Sequence, residues 1–163
     1  MAVPRLKTAP RSCFKMGIAV YETALGPVTV MWNEDGLTGL CPGGIPGTGD
    51  RSPFSDRVIV QLEEYLAGKR TAFDLPLCPQ GTPFQQKVWQ ALRTIPYGQT
   101  RSYGEIAEQI GQPNACRAVG MANHANPLLI LIPCHRVVGE NGGLTGYAAG
   151  LELKQRLLEL EKQ

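Results

Sequence analysis

Residues 128–132, Leu-Leu-Ile-Leu-Ile, are apolar without a break and end on Pro133. The run is too short for a helix of its own, and as a strand it would have to be covered on both faces. The chain must therefore wrap itself around this segment, and the residues after Pro133 are delivered to the interior. Those residues are Cys134-His135-Arg136. A cysteine in such surroundings is most often an inert small hydrophobe. A neighbouring base or cation makes it a nucleophile instead. His135 is adjacent, but neighbours on an extended segment point to opposite faces. The pair can cooperate only if the backbone turns there or a water bridges them.

The rest of the 163 residues divides by pattern. Two β-type runs at 17–23 and 28–32 flank Leu25-Gly26-Pro27, a hairpin signal, and 33–36 turn the chain into a further run at 37–40. A Gly/Pro-rich stretch at 41–53 reads as a weakly ordered loop. Val58, Leu62, Tyr65 and Leu66 recur at helical spacing, with Gly68 placed to end the helix. Residues 1–75, after a loose lead-in over the first dozen, thus form an expected α/β unit with a small antiparallel sheet. The expected linker is 76–81.

The expected second domain, 82–163, is mainly helical. Thr82-Pro83-Phe84-Gln85 is a capping box with proline in the first turn, followed by an apolar stripe of Phe84, Val88, Leu92 and Ile95. Ser102 and Glu105 form a second box, ahead of inward-facing Ile106, Ala107 and Ile110. Gly111-Gln112-Pro113-Asn114 makes a turn ending in an N-cap, and a helix of small residues occupies 115–123. Two short helices about a glycine-containing turn are a helix-turn-helix pattern. A last helix at 151–162 presents Leu153, Leu157, Leu158 and Leu160.

At 43% hydrophobic and 18% charged, the composition is that of an ordinary globular protein. A formal net charge of +2 argues against non-specific coating of nucleic acid but permits a local basic face. The five cysteines, at 13, 41, 78, 116 and 134, are odd in number and form no CxxC pair, so neither a zinc ribbon nor a disulfide framework is expected. Without a secretory leader or a long apolar run, the expected setting is a reducing one: the cytoplasm of a bacterium or the nucleus of a eukaryote. No cofactor is expected, nor a membrane, since no run of 18 apolar residues occurs, nor a metal, because His124 finds no third ligand.

Glu161 could complete a relay with His135, since a carboxylate that fixes the imidazole tautomer strengthens the base. A solvated helix-end charge is the competing reading, and pattern does not separate Glu159 from Glu161. Arg117 opens the second helix of the pair, where arginine contacts phosphate or simply sits in solvent. Tyr103 begins the first helix. Asn123, His124 and Asn126 crowd the junction before Pro127, and turn chemistry accounts for asparagine there.

These fragments resemble the O6-alkylguanine-DNA alkyltransferases, or methylated-DNA–protein-cysteine methyltransferases. The strongest part is Ile132-Pro133-Cys134-His135-Arg136-Val137-Val138. Thr82-Pro83-Phe84-Gln85 with Trp89, Pro96-Tyr97-Gly98, Arg117-Ala118-Val119-Gly120, Asn126-Pro127 and Thr145-Gly146-Tyr147 stand at family spacing across 81–161. The resemblance implies an RNase H-like first domain and a winged-helix-like second. It implies transfer of a methyl or alkyl group from O6-alkylguanine, and from O4-alkylthymine, in double-stranded DNA onto Cys134, once per molecule.

By the same resemblance His135 is the base, acting through a water, and Glu161 orients it. Asn126 closes the turn before the active-site strand, Arg117 fills the space left by the extruded base, and Tyr103 crowds the phosphate to promote rotation of the nucleotide. Tyr147 donates its hydroxyl to the base and Lys154 lies near the cysteine, with Ala118, Pro133, Val138 and Ala148 completing the substrate and DNA contacts of a monomer in the minor groove. Nucleotide extrusion costs a few kcal/mol, and the small residues Ala115, Ala118, Gly120 and Ala122 suit close approach to that groove.

The chain departs from the family at Tyr147-Ala148-Ala149-Gly150, where a second glycine is frequent; Ala149 adds a methyl at the expected pocket wall. Ala125 also replaces a frequent glycine. Glu161 lies two residues from the last residue, where a helix end is free to fray. An alkyltransferase-like protein that binds damage without repairing it would lack Cys134. A Cys-His hydrolase would separate the two residues in sequence, and a dimeric helix-turn-helix regulator would add a self-association helix.

Overall fold

The structure, a computed structural model, describes residues 16–163; the lead-in expected over the first dozen residues, and Cys13 with it, lie outside the described residues. The hairpin signals fold into an antiparallel meander of β1 (Gly17–Thr23), β2 (Gly26–Asn33) and β3 (Gly36–Pro42), in the order β1-β2-β3. Helix α1 (Pro53–Leu66) lies against β1 and β2 and contributes Phe54, Val58, Leu62 and Tyr65 to the core. The Tyr21 hydroxyl anchors its start, within 2.6 Å of both Ser55 Oγ and Asp56 Oδ1.

The 41–53 loop is shorter than expected. Cys41 and Pro42 belong to β3, and Pro53 is already helical because Ser52 and Ser55 cap each other. Between them Gly49 pairs with Ala19. At φ +78°, a Cβ on Gly49 would fall 2.1 Å from the Ile18 carbonyl oxygen, so only glycine fits there.

Helix α2 (Pro83–Leu92) starts at the Thr82 capping box. It stops at Leu92 rather than reaching Ile95, because the Thr94 and Ile95 amides tighten onto Ala91 and Leu92 ahead of Pro96. Ile95 is buried beyond the helix end. Helices α3 (Tyr103–Gln109) and α4 (Cys116–His124) form the expected pair, and Gly111 at φ +77° reverses the chain between them. Ala115, not Asn114, is the N-cap of α4, since the turn closes from Ala115 N to Gln112 O. Trp89, buried in α2, donates its Nε1–H to the Ala122 carbonyl at 2.9 Å and ties α2 to α4. Ala122 is therefore core, and of the small residues in α4 it is Ala118 that is exposed.

The apolar run at 128–132 is buried throughout but is a turn, not a strand. Ile130 is held at φ +74°, a conformation that a β-branched residue adopts only where its surroundings impose it. Asn126 supplies that constraint. Its Nδ2 donates to Ile132 O at 2.8 Å and to Leu128 O at 3.3 Å, and its Oδ1 accepts from Leu128 N at 2.9 Å.

The free edge of β3 joins the two halves. Leu37 exchanges backbone hydrogen bonds with Pro76 and Cys78, and Leu40 does so with Pro127 and Leu129. The 76–81 segment is thus docked at its start, and covering the edge leaves it no room to pair with another chain. Beyond the turn at 134–136, β5 (Val137–Val138) pairs in parallel with β4 (Arg101–Ser102). Helix α5 (Leu151–Glu161) departs from its apolar reading: Lys154, Leu157 and Glu161 are buried, whereas Leu153, Leu158 and Leu160 are half-buried. Among the described residues no helix is long and apolar enough to cross a membrane.

Removing the Asn126 amide leaves buried backbone groups unsatisfied. Asn126→Ala is expected to lower unfolding stability by about 3 kcal/mol in denaturant titration; a loss below about 1 kcal/mol would show that the turn holds without it.

Candidate active site

Pro133 ends the buried run at ψ 63° and starts a single 3-10 turn, Cys134–Arg136, closed by Arg136 N to Pro133 O at 3.0 Å. The turn is what an extended reading of Cys134 and His135 lacked. It points three consecutive side chains inward, leaving Cys134 1%, His135 0% and Arg136 8% exposed. The segment is fixed from below by Asn126 and from the side by Asn123, whose Nδ2 donates to the Cys134 carbonyl at 3.4 Å.

The carboxylate of Glu161, from α5, organises the interior of this turn. Its Oε1 accepts from His135 Nε2 at 2.8 Å, Arg136 Nη2 at 2.8 Å and the Tyr65 hydroxyl at 2.5 Å. Its Oε2 accepts from Arg136 Nε at 2.9 Å and from Gly98 N at 3.4 Å. Arg136 also donates to Ile95 O at 2.7 Å and lies over the Tyr97 ring. Glu159 is exposed and accepts from Gln155, so Glu161 is the carboxylate that meets His135. Its place in the last helical turn does not free it, because donors from three other segments hold it.

Burial by itself would raise the Glu161 pKa, but hydrogen bonds from His135, then Arg136 and Tyr65, hold it well below the usual carboxylate range. Burial lowers the His135 pKa, against the pull of Glu161. The imidazole is therefore neutral near neutral pH, and the Arg136 guanidinium is the cation that balances the carboxylate. An ionised carboxylate only accepts hydrogen bonds. Nε2 must then carry the proton, and Nδ1 is left as a bare base.

His135 Nδ1, Asn123 Oδ1 and Tyr147 Oη are buried without a hydrogen-bond partner within the protein, and each belongs to a residue that adjoins Cys134. Buried polar atoms are rarely left so. Burial pushes the Cys134 thiol up to about 11, opposed by the Asn126 amide and the Lys154 charge. Burial also raises the Tyr147 hydroxyl, as does the Cys134 charge beside it, although no well-aligned bond joins the two groups. Lys154 is fully buried in α5 and donates to Val137 O at 2.6 Å and Thr145 O at 2.9 Å. Burial lowers its pKa.

Cys134, His135, Glu161, Tyr147, Lys154 and Asn126 thus gather in one place. Pro133 and Val138 are buried beside them, though it is Val137 whose carbonyl holds Lys154. Tyr103 is half-buried and reaches the loop before α5, donating to Thr145 O at 3.2 Å. Ala148 is exposed on that loop, while Ala149 is half-buried against the core. Arg117 and Ala118 stand apart, exposed on α4.

Sequence reading passed over Tyr65, Asn123 and Arg136 as site residues. Tyr65 was absorbed into an apolar stripe and Asn123 into turn chemistry. The available signals were the guanidinium next to His135 and a buried tyrosine hydroxyl, which needs a partner.

Both the sequence and the overall fold match those of known proteins. Residues 83–163 match the DNA-binding domain of 6-O-methylguanine DNA methyltransferase, and residues 16–79 match the ribonuclease-like domain of the same family. The methylated-DNA–protein-cysteine methyltransferase of Methanosarcina acetivorans is 48% identical, over 90% of this chain and 98% of its own length. That of Mycobacterium bovis is 51% identical, over 86% and 89% respectively. The crystal structure of Mycobacterium tuberculosis OGT in complex with DNA superposes with a TM-score of 0.79 at 47% identity, covering 89% of this chain and 92% of that one. With both of its halves matched and its sulfur set in this turn, the chain belongs to the methylated-DNA–protein-cysteine methyltransferase family.

Proposed function

We propose that the chain repairs alkylated DNA by moving a methyl or larger alkyl group from the O6 atom of guanine, and from O4 of thymine, onto Cys134 Sγ. The observation that carries this reading is His135 set with Nε2 2.8 Å from Glu161 Oε1 and Nδ1 without a partner within the protein, in the residue next to a buried thiol. The thiol proton passes to Nδ1 through a water, and the sulfur attacks the alkyl carbon. The carbon–oxygen bond breaks as the carbon–sulfur bond forms, and the departing base takes up a proton at the end facing Tyr147. A thioether cannot be returned to a thiol by any of these groups, so each molecule acts once.

An atom on a stacked base is out of reach, so the nucleotide must leave the duplex. In this reading α4 is the face that meets the minor groove, with Arg117 filling the gap, which the exposure of Arg117 and Ala118 supports. Tyr103 bonds Thr145, and Tyr147, on that same loop, is buried beside Cys134. The base therefore enters between α4 and the 139–150 segment, past Ala148. A single copy carries every group the reaction uses, so the working form is a monomer.

Intact-mass measurement after incubation with an O6-methylguanine duplex is expected to show one added methyl, mapped to Cys134. Cys134→Ser is expected to bind the duplex and gain nothing; an unmodified wild-type protein defeats the enzymatic reading, leaving damage binding without repair.

Arg117→Ala is expected to lose at least about tenfold in duplex repair while reacting normally with free O6-methylguanine base, because a free base needs no extrusion. Equal losses on both substrates would remove Arg117 from the gap-filling role.

Because the His135 pKa lies below its ordinary value, alkylation should stay fast at and above neutral pH and fall only on acidification. In His135→Ala the thiol, at about 11, must ionise unaided, and the rate should climb about tenfold per pH unit through the alkaline range. A pH profile unchanged by the substitution would exclude His135 as the base.

A further inference from the structure

We propose that Tyr65, contributed by α1 of the N-terminal half, is a positioning residue of the alkyl-transfer relay, its hydroxyl fixing the Glu161 oxygen on which His135 leans. This rests on the function proposed above and extends it to the half of the chain that meets no reacting atom. Tyr65 is fully buried, its hydroxyl 2.5 Å from Glu161 Oε1 and 3.4 Å from His135 Nε2. The ring is wedged by Phe73, with centroids 5.4 Å apart, and by the edge of Tyr97 at 6.2 Å. Phenylalanine would satisfy that packing equally well. The hydroxyl is thus surplus to the core and specific to the carboxylate.

Three donors converge on Oε1, whereas Oε2 takes Arg136 Nε and one longer contact. Charge on Oε1 is consequently shared between Tyr65, Arg136 and the imidazole. Without the hydroxyl, more of it falls on His135 Nε2–H. That stabilises imidazolium and raises the pH at which Nδ1 becomes free to take the thiol proton. The groups facing this centre are Tyr65 from α1, Tyr97 from the segment after α2, and Cys134 and Arg136 from the turn. Tyr147 faces it from the last loop, and Lys154 and Glu161 from α5. Of these Tyr65 and Tyr97 neither meet the substrate nor carry charge, and it is Tyr65 whose hydroxyl bonds the Glu161 carboxylate, so its removal perturbs the relay without touching the reacting atoms.

The test measures single-turnover methyl transfer against pH for the full chain and for Tyr65→Phe. The variant is expected to react about tenfold more slowly at neutral pH, with the acid limb of its profile displaced to higher pH and the His135 ring nitrogens titrating at higher pH by NMR. In a His135→Ala background the same substitution should change nothing, because it acts through the imidazole. Incorporating 3-fluorotyrosine at position 65, a stronger donor in an unchanged shape, should displace the acid limb the other way even if the phenylalanine variant folds poorly. An unmoved profile in both variants, or an equal loss in the His135→Ala background, overturns the positioning role. Failure of the wild-type control to gain a methyl would instead overturn the function on which it rests.

Discussion

A carboxylate and a guanidinium, Glu161 and Arg136, face each other through two hydrogen bonds, both side chains buried. Each alone would be prohibitively costly to bury, and the attraction between them roughly offsets that cost without adding much net stability. What the pair supplies is order. It ties α5 to the turn of Cys134, and Arg136 carries the tie on to the Ile95 carbonyl at the end of α2. Gly98 closes around it: at φ +79° a Cβ would sit 2.9 Å from the Glu161 carbonyl oxygen. Once the pair is formed, the imidazole beside it is set with Nε2 on the carboxylate, which favours a single tautomer.

The parts of this arrangement that lie along one element were legible in the sequence. Capping boxes at Thr82 and Ser102 placed two helix starts, because the signal and the structure it dictates lie within three residues of each other. The two β-type runs about Gly26 and the run at 37–40 placed the sheet for the same reason. Resemblance then supplied the chemistry at Cys134 and His135. The misreadings were failures of range. Residues 128–132 looked like a strand since nothing local announces that Asn126 folds back over them. Pattern alone left Glu161 open to a solvated reading and unresolved from Glu159, and only resemblance brought Lys154 near the cysteine, because the carbonyls and the guanidinium that receive these side chains come from other segments. Tyr65 shows the limit most clearly: its partner lies 96 residues away.

The N-terminal half therefore does more than cover the core. From α1 it places a donor on the Glu161 carboxylate, and β3 receives both the 76–78 segment and the start of the 127–132 turn. The turn that carries the sulfur is thus braced on one side by the sheet and on the other by α5. This bracing bears on the Tyr147-Ala148-Ala149 departure. Ala149 is half-buried and packs against the core that also holds Cys134 and Tyr147.

Burial of the thiol serves a protein that can act only once. A sulfur activated in advance, at a helix end or beside an exposed cation, would be a thiolate at neutral pH and open to any electrophile or oxidant. Here burial pushes Cys134 up to about 11, and Tyr147 stands over it. In the proposed reaction the thiol stays protonated until the alkylated base is bound, and the group proposed to remove that proton, an imidazole with its far side on Glu161, lies next to it. Reactivity then depends on transfer in the presence of a bound base rather than on a standing population of anion. The buried ion pair has the same logic: with Arg136 already neutralising Glu161, the imidazole is not forced to hold a proton as counter-ion and remains free to accept one.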